Sequence, residues 1–445
     1  MKKVLIANRG EIAVRVIRAC RELDIPTVAV YSTADRTALH AQIADEALCI
    51  GGAATKLSYL NEDAIITACK ITGADALHPG FGFLSENAEF AKKCTENGIK
   101  FIGPSSDCIN MLGDKATAKE TMKAAGVPVI PGSDGAVSSL ENARAIAAKI
   151  GYPVMIKAAA GGGGRGIRRV DSPSELESLI ADARQEAKNY FGNDDYYIEK
   201  FIIDPKHIEF QILADEHGNV VHLFERDCSM QRRNQKVLEE TPSPVMTPEL
   251  RAKMGAAAVN AARAAGYENA GTIEFLLSKT GEFYFMEMNT RIQVEHPITE
   301  MLTGIDLVQM QLKIAAGEKL PFAQEDIKMQ GASIECRINA EEPKLDFRPC
   351  PGTINALHIP GGPGVRIDSA VYQGYTIPPY YDSMIAKLIV HAPSRLEAIM
   401  KMRRSLAEFI VDGVKTNIDF ELSLITDPVF ERGDYTIAYL SEKMK

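Results

Sequence analysis

Tryptophan is absent from this 445-residue chain, and low-complexity tracts and internal repeats are missing as well. None of the eight cysteines (Cys20, Cys49, Cys69, Cys94, Cys108, Cys228, Cys336, Cys350) forms a Cys-x-x-Cys pair. That argues against a zinc site or a disulfide scaffold and leaves reduced core thiols, in a cytoplasm, as the default. Gly-x-Gly-x-x-Gly is not found at the first strand-to-helix turn, where Asn8-Arg-Gly-Glu offers only Gly10, so no nicotinamide or flavin site is expected there. The phosphate-loop pattern Gly-x-x-x-x-Gly-Lys-Ser/Thr fails because Ile167 and Arg168 follow Gly166. There is no excess of basic residues: a net charge of −9 speaks against a general nucleic-acid binder. No apolar run approaches a membrane span, and Arg9 and Glu11 interrupt the N-terminal Val4-Leu-Ile-Ala too soon for a leader. What is there is an ordinary globular composition, 46% hydrophobic and 24% charged, with length for two or three domains.

Residues 1–112 alternate short apolar strands with helical patterns: Val4-Leu-Ile-Ala, a helix from Glu11 to Leu23, Thr27-Val-Ala-Val-Tyr, and later Ile99-Lys-Phe-Ile-Gly. This predicts a doubly wound parallel sheet. The loop His78-Pro-Gly-Phe-Gly-Phe-Leu-Ser-Glu-Asn either touches a ligand or turns the chain, and turning is favoured. A second region, 113–332, opens at Gly113-Asp-Lys115 with a helix to Ala125. Inside it, 131–201 reads as a small α/β lobe around the strand Tyr152–Lys157 and the run Gly161-Gly-Gly-Gly-Arg-Gly166. Glycines let backbone N–H groups approach phosphate oxygens, so a mobile phosphate flap is favoured over a bare linker. His207, Glu209 and Gln211 share one face of a strand. His207-Ile-Glu209 is half of a deaminase zinc motif whose Pro-Cys-x-x-Cys half is missing. The cation-rich run Glu225–Lys236, after a strand Val220–Phe224, reads as a solvated loop or an anion collector. A third region, 333–445, has mixed α/β character, with Glu335 and Arg337 alternating on its first strand and a helix from Ser394 to Phe409. Ala398-Ile-Met-Lys-Met402 imitates a biotinylation site, but Ile399 breaks the motif and the surrounding pattern is helical.

The chemistry concentrates in Glu287-Met-Asn-Thr-Arg-Ile-Gln-Val-Glu-His-Pro297, directly after an aromatic strand. Alternation in extended chain places Glu287 and Asn289 on one side, followed by Arg291, Gln293 and Glu295. A solvated edge strand is the plain alternative; against it, charges continuing a buried strand are costly unless paired or bound to metal. If the hairpin beginning at Gly271-Thr-Ile-Glu-Phe closes with Lys279 opposite Glu282, Glu274 faces Glu287. Two carboxylates about 5 Å apart repel by roughly 3 kcal/mol at an effective dielectric of 20, which a divalent cation relieves. Oxygen ligands favour magnesium or manganese over zinc. A register slip of one residue would remove the argument.

Taken together, Ala7-Asn-Arg-Gly-Glu-Ile-Ala, the His78 loop, Gly161–Gly166, Glu225-Arg-Asp-Cys-Ser and Glu287–Pro297 resemble the biotin carboxylase component of bacterial acetyl-CoA carboxylases, members of the ATP-grasp superfamily. The resemblance covers the whole chain. It implies an α/β and α+β multi-domain fold: an N-terminal doubly wound parallel sheet, a central ATP-grasp domain with a mobile lid, and a C-terminal mixed α/β domain. It implies ATP, two magnesium or manganese ions, and biotin borne by a separate carrier. It assigns Lys115, Lys157, Gly162, Gly163, Gly164, Glu199, Lys200, Ile202, His207, Gln231, Asn234, Leu276 and Ile437 to ATP, and Glu274, Glu287 and Asn289 to metal. Lys236, Arg291, Gln293 and Val294 go to bicarbonate, Glu295 to the base that deprotonates it, and Arg337 to biotin. Lys236, Arg291, Glu295 and Arg337 are then the catalytic set. Relatives often have histidine two residues before the lysine matched by Lys236, where this chain has Asn234, which puts that nucleotide contact in question. The implied partners are a biotin carboxyl carrier protein, a carboxyltransferase and a second copy of the chain, with no nucleic acid and no membrane. The alternatives are a pyruvate or propionyl-CoA carboxylase subunit, another ATP-grasp ligase, and a non-catalytic nucleotide-binding regulatory subunit.

Overall fold

The computed structural model describes residues 1–158, 167–191 and 195–444, so the expected contacts of Gly162, Gly163 and Gly164 lie outside the described residues. Two compact units are present. One comprises Met1–Val127, Lys206–Phe275 and Glu287–Lys445; the other comprises Pro128–Pro205 and Leu276–Met286.

The first unit opens with β1 (Val4–Ile6), β2 (Thr27–Ser32), β3 (Glu46–Gly51), β4 (Ala76–His78) and β5 (Lys100–Phe101), a parallel sheet in the order β3-β2-β1-β4-β5. Val4, Leu5 and Ile6 are fully buried, as a parallel strand covered on both faces requires. The helix Gly10–Glu22 lays Ile12, Val16 and Ile17 against a core that includes Leu307, Val308 and Leu312. This is the doubly wound topology expected of the first region.

The second unit holds β6 (Val154–Ala158), β7 (Ile167–Val170) and β8 (Tyr196–Lys200), an antiparallel sheet with β6 central. Val154, Ile156, Val170, Leu176, Ile180 and Ile198 form its core.

The large sheet runs β13 (Phe283–Asn289), β12 (Asn269–Leu277), β9 (Lys206–Ala214), β10 (Val220–Arg232), β11 (Gln235–Thr241), β14 (Ala332–Asn339), then the strands Met384–Ala392 and Val365–Ser369. Here the structure corrects several expectations. β10 does not end at Phe224: the cation-rich run continues the strand to Arg232 and is largely buried. Opposite charges make this possible. Arg226 stands directly across from Glu209 on β9, Arg251 grips Glu225 with two bonds of 2.8 Å, and Lys206 bonds Asp227 at 2.9 Å. The β10–β11 turn is two residues, Arg233 and Asn234, with φ of +50° and +63°, the left-handed pair that suits the twist of a tight hairpin. β9 shows the expected sharing of a face by His207, Glu209 and Gln211, but every residue of the strand is buried.

The β12–β13 turn also differs. Ser278, not Lys279, closes it: the Ser278 N–H donates to the Glu282 carbonyl at 2.8 Å, the Gly281 N–H donates to the Ser278 carbonyl at 3.1 Å, and Gly281 has φ +85°. A left-handed glycine ending a three-residue loop is a common hairpin solution that a two-residue count misses. β13 stops at Asn289. Thr290 to Val294 are irregular, and Glu295 is the N-cap of the helix His296–Thr303, with Pro297 in its first turn. Arg291, Gln293 and Glu295 therefore do not share a strand face. Farther along, Ala398–Met402 lies within the helix Arg395–Glu408, capped by the Ser394 hydroxyl. Among the described residues, no helix is long and apolar enough to cross a membrane.

Candidate active site

Lys236, near the start of β11, is the hub. Its ammonium donates to Glu209 at 2.5 Å, Glu274 at 3.0 Å and Glu295 at 2.6 Å. Burial works against its charge, and the surrounding carboxylates overcome it, holding the lysine well above its ordinary range. β9 supplies Glu209 and His207, β12 supplies Glu274, and the loop after β13 supplies Glu295. The irregular loop achieves what an extended strand would not. Arg291 turns back to donate to the Asn289 side-chain oxygen at 3.0 Å and the Gln293 oxygen at 3.1 Å, and Gln293 donates to Glu274 at 2.9 Å.

Glu295 is fully buried and lies between two cations, with Lys236 on one oxygen and Arg337 at 2.9 Å from the other. Burial alone would raise its carboxyl; Lys236, Arg337 and Arg226 outweigh it and hold the group well below the usual carboxylate range. Arg337 also bonds Glu239 on the neighbouring strand at 2.7 Å. Arg337 is thus at once half of an ion pair between neighbouring strands and a group aimed at Glu295. Glu239 is pushed up to about 7 by burial, against the pull of Arg337.

At the other end, Glu274 accepts from Asn289 at 2.9 Å as well, and His207 Nε2 lies 3.0 Å from its second oxygen. Burial is outweighed by Lys236 and His207, and Glu274 sits well below its ordinary range. Glu287 goes the opposite way, raised first by burial and next by the charge of Glu274, with Lys115 opposing. The turn closed by Ser278 shifts the expected register by one residue, so strand alternation no longer sets Glu274 opposite Glu287; what links the two is the charge of Glu274, which helps raise the Glu287 carboxyl. The oxygen donors of Glu274, Glu287 and Asn289 fit a hard divalent cation such as magnesium or manganese, which would remove the repulsion that lifts Glu287. His207, Glu209 and Glu274 also offer ligand atoms within 4.8 Å of one another.

Of the other expected ligands, Gln231 bonds His207 Nδ1 at 2.7 Å and joins the cluster. Lys115 is exposed at the start of the helix Lys115–Ala124. Asn234 is exposed at the hairpin tip, and Ile437 is half-buried in the turn before the helix Tyr439–Lys443; neither shares in the cluster's hydrogen bonds among the described residues. In the second unit, Lys157 lies 2.5 Å from Glu199, Lys200 donates to the carbonyls of Ile150 and Gly151 at 3.1 and 3.0 Å, and Ile202 and Leu276 are half-buried. Val294 presents its backbone beside Glu295, its carbonyl accepting from Lys387 at 2.9 Å.

Sequence reasoning missed Glu209, Arg226, Glu239, Glu86 and Lys387. Glu209 had a signal, its alternation with His207. Arg226 lay in the run read as a solvated loop or an anion collector, which is buried strand instead. Glu86 belongs to the His78 loop, read as a turn, yet it holds Arg291 at 2.9 Å.

Three family models match the chain in succession. "Biotin carboxylase, N-terminal domain" matches residues 1–109, "Carbamoyl-phosphate synthase L chain, ATP binding domain" 114–323, and "Biotin carboxylase C-terminal domain" 335–442. A biotin carboxylase of Nostoc sp. is 58% identical over 443 residues, covering 100% of this chain and 99% of the relative. A pyruvate carboxylase component of Methanothermobacter thermautotrophicus is 56% identical, covering 99% of this chain and 89% of the relative. The dimeric biotin carboxylase domain of Hydrogenobacter thermophilus 2-oxoglutarate carboxylase, solved with MgADP, ADP and bicarbonate, matches at a TM-score of 0.90 and 53% identity, covering 100% of this chain and 98% of that one. Identity above one half across the full length, on a fold that gathers Lys236, Glu274, Glu295 and Arg337 at one point, places the chain in the biotin carboxylase family.

Proposed function

We propose that this chain carboxylates biotin borne on a biotin carboxyl carrier protein, consuming ATP and bicarbonate, as the first half-reaction of an acetyl-CoA carboxylase. The observation that carries the reading is Glu295, buried between Lys236 and Arg337. A carboxylate so placed stays ionised, and it can serve as a base once its cations are shared with an arriving anion. Bicarbonate held by Lys236, Arg291, Gln293 and the Val294 backbone would draw on the same positive charge, so the Glu295 carboxyl would climb as the anion binds. Deprotonated bicarbonate then attacks the γ-phosphate of ATP, giving carboxyphosphate and ADP. Carboxyphosphate breaks down to carbon dioxide and phosphate, and the phosphate takes the N1′ proton of biotin. Arg337 stabilises the enolate-like ureido oxygen while N1′ attacks carbon dioxide. Divalent metal at Glu274, Glu287 and Asn289 supplies charge neutralisation on the ATP phosphates when bound.

For ATP, the reading assigns Lys115, Lys157, Gly162, Gly163, Gly164, Glu199, Lys200, Ile202, His207, Gln231, Leu276 and Ile437, with Asn234 the least supported. The domain division 1–112, 113–332 and 333–445 is supported by the three successive family matches. A lid role for 131–201 is supported by the compactness of the second unit. Cytoplasmic location, a carboxyltransferase partner and a homodimer complete the proposal, the last supported by the dimeric solved relative. Service in a pyruvate carboxylase is the second reading, favoured by the methanogen relative.

The test is ADP release by the purified protein with ATP, magnesium, bicarbonate and biotin, each omitted in turn. Dependence on both bicarbonate and biotin, with carboxybiotin formed, is expected. ATP turnover indifferent to either would rule the reading out. Capture and identification of the biotinylated partner would separate the acetyl-CoA and pyruvate complexes.

A further inference from the structure

Lys387 sits in the middle of the strand Met384–Ala392 with no exposed surface. It pairs in register with Arg337 on β14 and with Asp368 on the other side, so it shares a sheet face with Arg337. Its ammonium lies 3.1 Å from Glu11 and 3.9 Å from Asp368, and donates to the Val294 carbonyl at 2.9 Å. Glu11 and Asp368 balance the charge, so the bond to Val294 is not needed for neutrality. A hydrophobe of similar length would fill the site without the cost of a buried ion pair.

The position of Val294 gives that bond a use. The carbonyl of Val294 and the N–H of Glu295 belong to one rigid peptide plane. Glu295 is also the N-cap of the helix His296–Thr303, with a φ of −80° and ψ of +10°. The preceding carbonyl, Gln293, is taken by His296 Nδ1 at 2.8 Å. Holding the next carbonyl from the strand Met384–Ala392 sets the plane from which the Glu295 side chain departs.

We propose that Lys387 is a positioning residue. Acting through the Val294–Glu295 peptide, it keeps the Glu295 carboxylate aimed between Lys236 and Arg337; this rests on the assignment of Glu295 as the base. Glu11 keeps the ammonium in place and has no direct part.

The test uses the full chain and three variants. Lys387→Met alone strands Glu11 and can fail to fold, so Lys387→Met/Glu11→Gln, which removes both charges, is the decisive variant. It should melt within a few degrees of the parent and keep its KM for ATP, yet lose about a hundredfold in kcat for bicarbonate-dependent carboxybiotin formation, the cost of a displaced catalytic group. Glu11→Gln, which retains the donor, should keep kcat within about twofold, showing that the loss tracks the Val294 bond. If the double variant turns over at the parent rate, or if Glu11→Gln loses as much as the double variant, Lys387 serves only folding or charge balance. Glu295→Gln, run alongside, separates the failures. If it is as active as the parent, the assignment of Glu295 itself falls, and the proposal with it.

Discussion

Arg337 carries two loads. Its guanidinium bonds both Glu239 and Glu295, so replacing it by alanine would leave the buried Glu239 without its cation and Glu295 with Lys236 alone. Breaking a buried pair in this way typically costs about 3–5 kcal/mol of stability, which would obscure any loss of rate. Arg337→Met with Glu239→Gln avoids the worst of that imbalance. Carboxybiotin formation by this variant should fall by about a hundredfold, the usual effect of removing one donor from a developing oxyanion. Calorimetric ATP affinity should stay within a few-fold, because Arg337 is bonded to neither His207 nor Glu274. A parallel fall in both would mean that the residue serves the nucleotide or the fold. Glu274 and Glu287 invite a different measurement. Glu287 is raised first by burial and next by the charge of Glu274, so neutralising either carboxylate relieves that repulsion while removing one of the oxygen donors proposed to hold metal. Glu274→Gln and Glu287→Gln should each raise the magnesium concentration for half-maximal turnover by about tenfold or more. An unchanged metal dependence in both would remove metal from this pair.

At the scale of elements, the β9–β10–β11 segment does the most to build the site. A strand with Glu225, Arg226 and Asp227 in succession is buried because each charge meets an opposite one from another element. Arg226 is the centre: it bonds Glu209 at 2.6 Å, Gln211 at 2.7 Å, Thr299 at 2.9 Å and Thr272 at 3.2 Å. It thereby ties the sheet to the helix that Glu295 caps. Arg226→Met should lower unfolding free energy by about 3–5 kcal/mol, since Glu209 would keep only Lys236. Urea denaturation followed by circular dichroism would measure it, and a loss below about 1 kcal/mol would show the network to be dispensable. The loop after β13 makes a complementary point. By leaving the strand at Asn289, the chain brings Arg291, Gln293 and Glu295 onto one centre from different directions.

For the whole molecule, buried ion pairs set the response to acid. Asp368 is an instructive case: burial raises its carboxyl, but the two-bond grip of Arg366 and the nearby Lys387 bring it down to about 2. A carboxyl with a lower pKa folded than unfolded binds fewer protons in the native state. Its contribution is therefore fully present above pH of about 4 and is lost as pH falls towards about 2, amounting to roughly 2 kcal/mol. Asp368→Asn should flatten the stability profile over that window while leaving its slope near neutrality unchanged. Chemical denaturation at a series of pH values would decide it; an unaltered acid limb would mean that other carboxylates set it.

Much of this protein was legible in the order of its residues. The apolar strands and amphipathic helices of the first region specify a parallel sheet, because hydrophobic periodicity is local and burial follows it. Glu274, Glu287, Arg291, Glu295 and Arg337 stood out because charges in or beside apolar strands demand partners, and their resemblance to a known family named the chemistry. Those partners were not legible. Glu239 for Arg337, Glu86 for Arg291 and Lys387 for Val294 lie 98, 205 and 93 positions away in the chain. No local pattern encodes such pairs; sheet order and register bring them together. The same limit explains the misread of Glu225–Lys236. Taken alone, that run belongs in water, and only the opposite charges that β9 and the helix Pro248–Ala264 set against it make burial affordable. Residue type, which sets the available chemistry, was readable from the sequence, whereas the protonation of each carboxyl depends on neighbours distant in sequence and was decided by the tertiary structure.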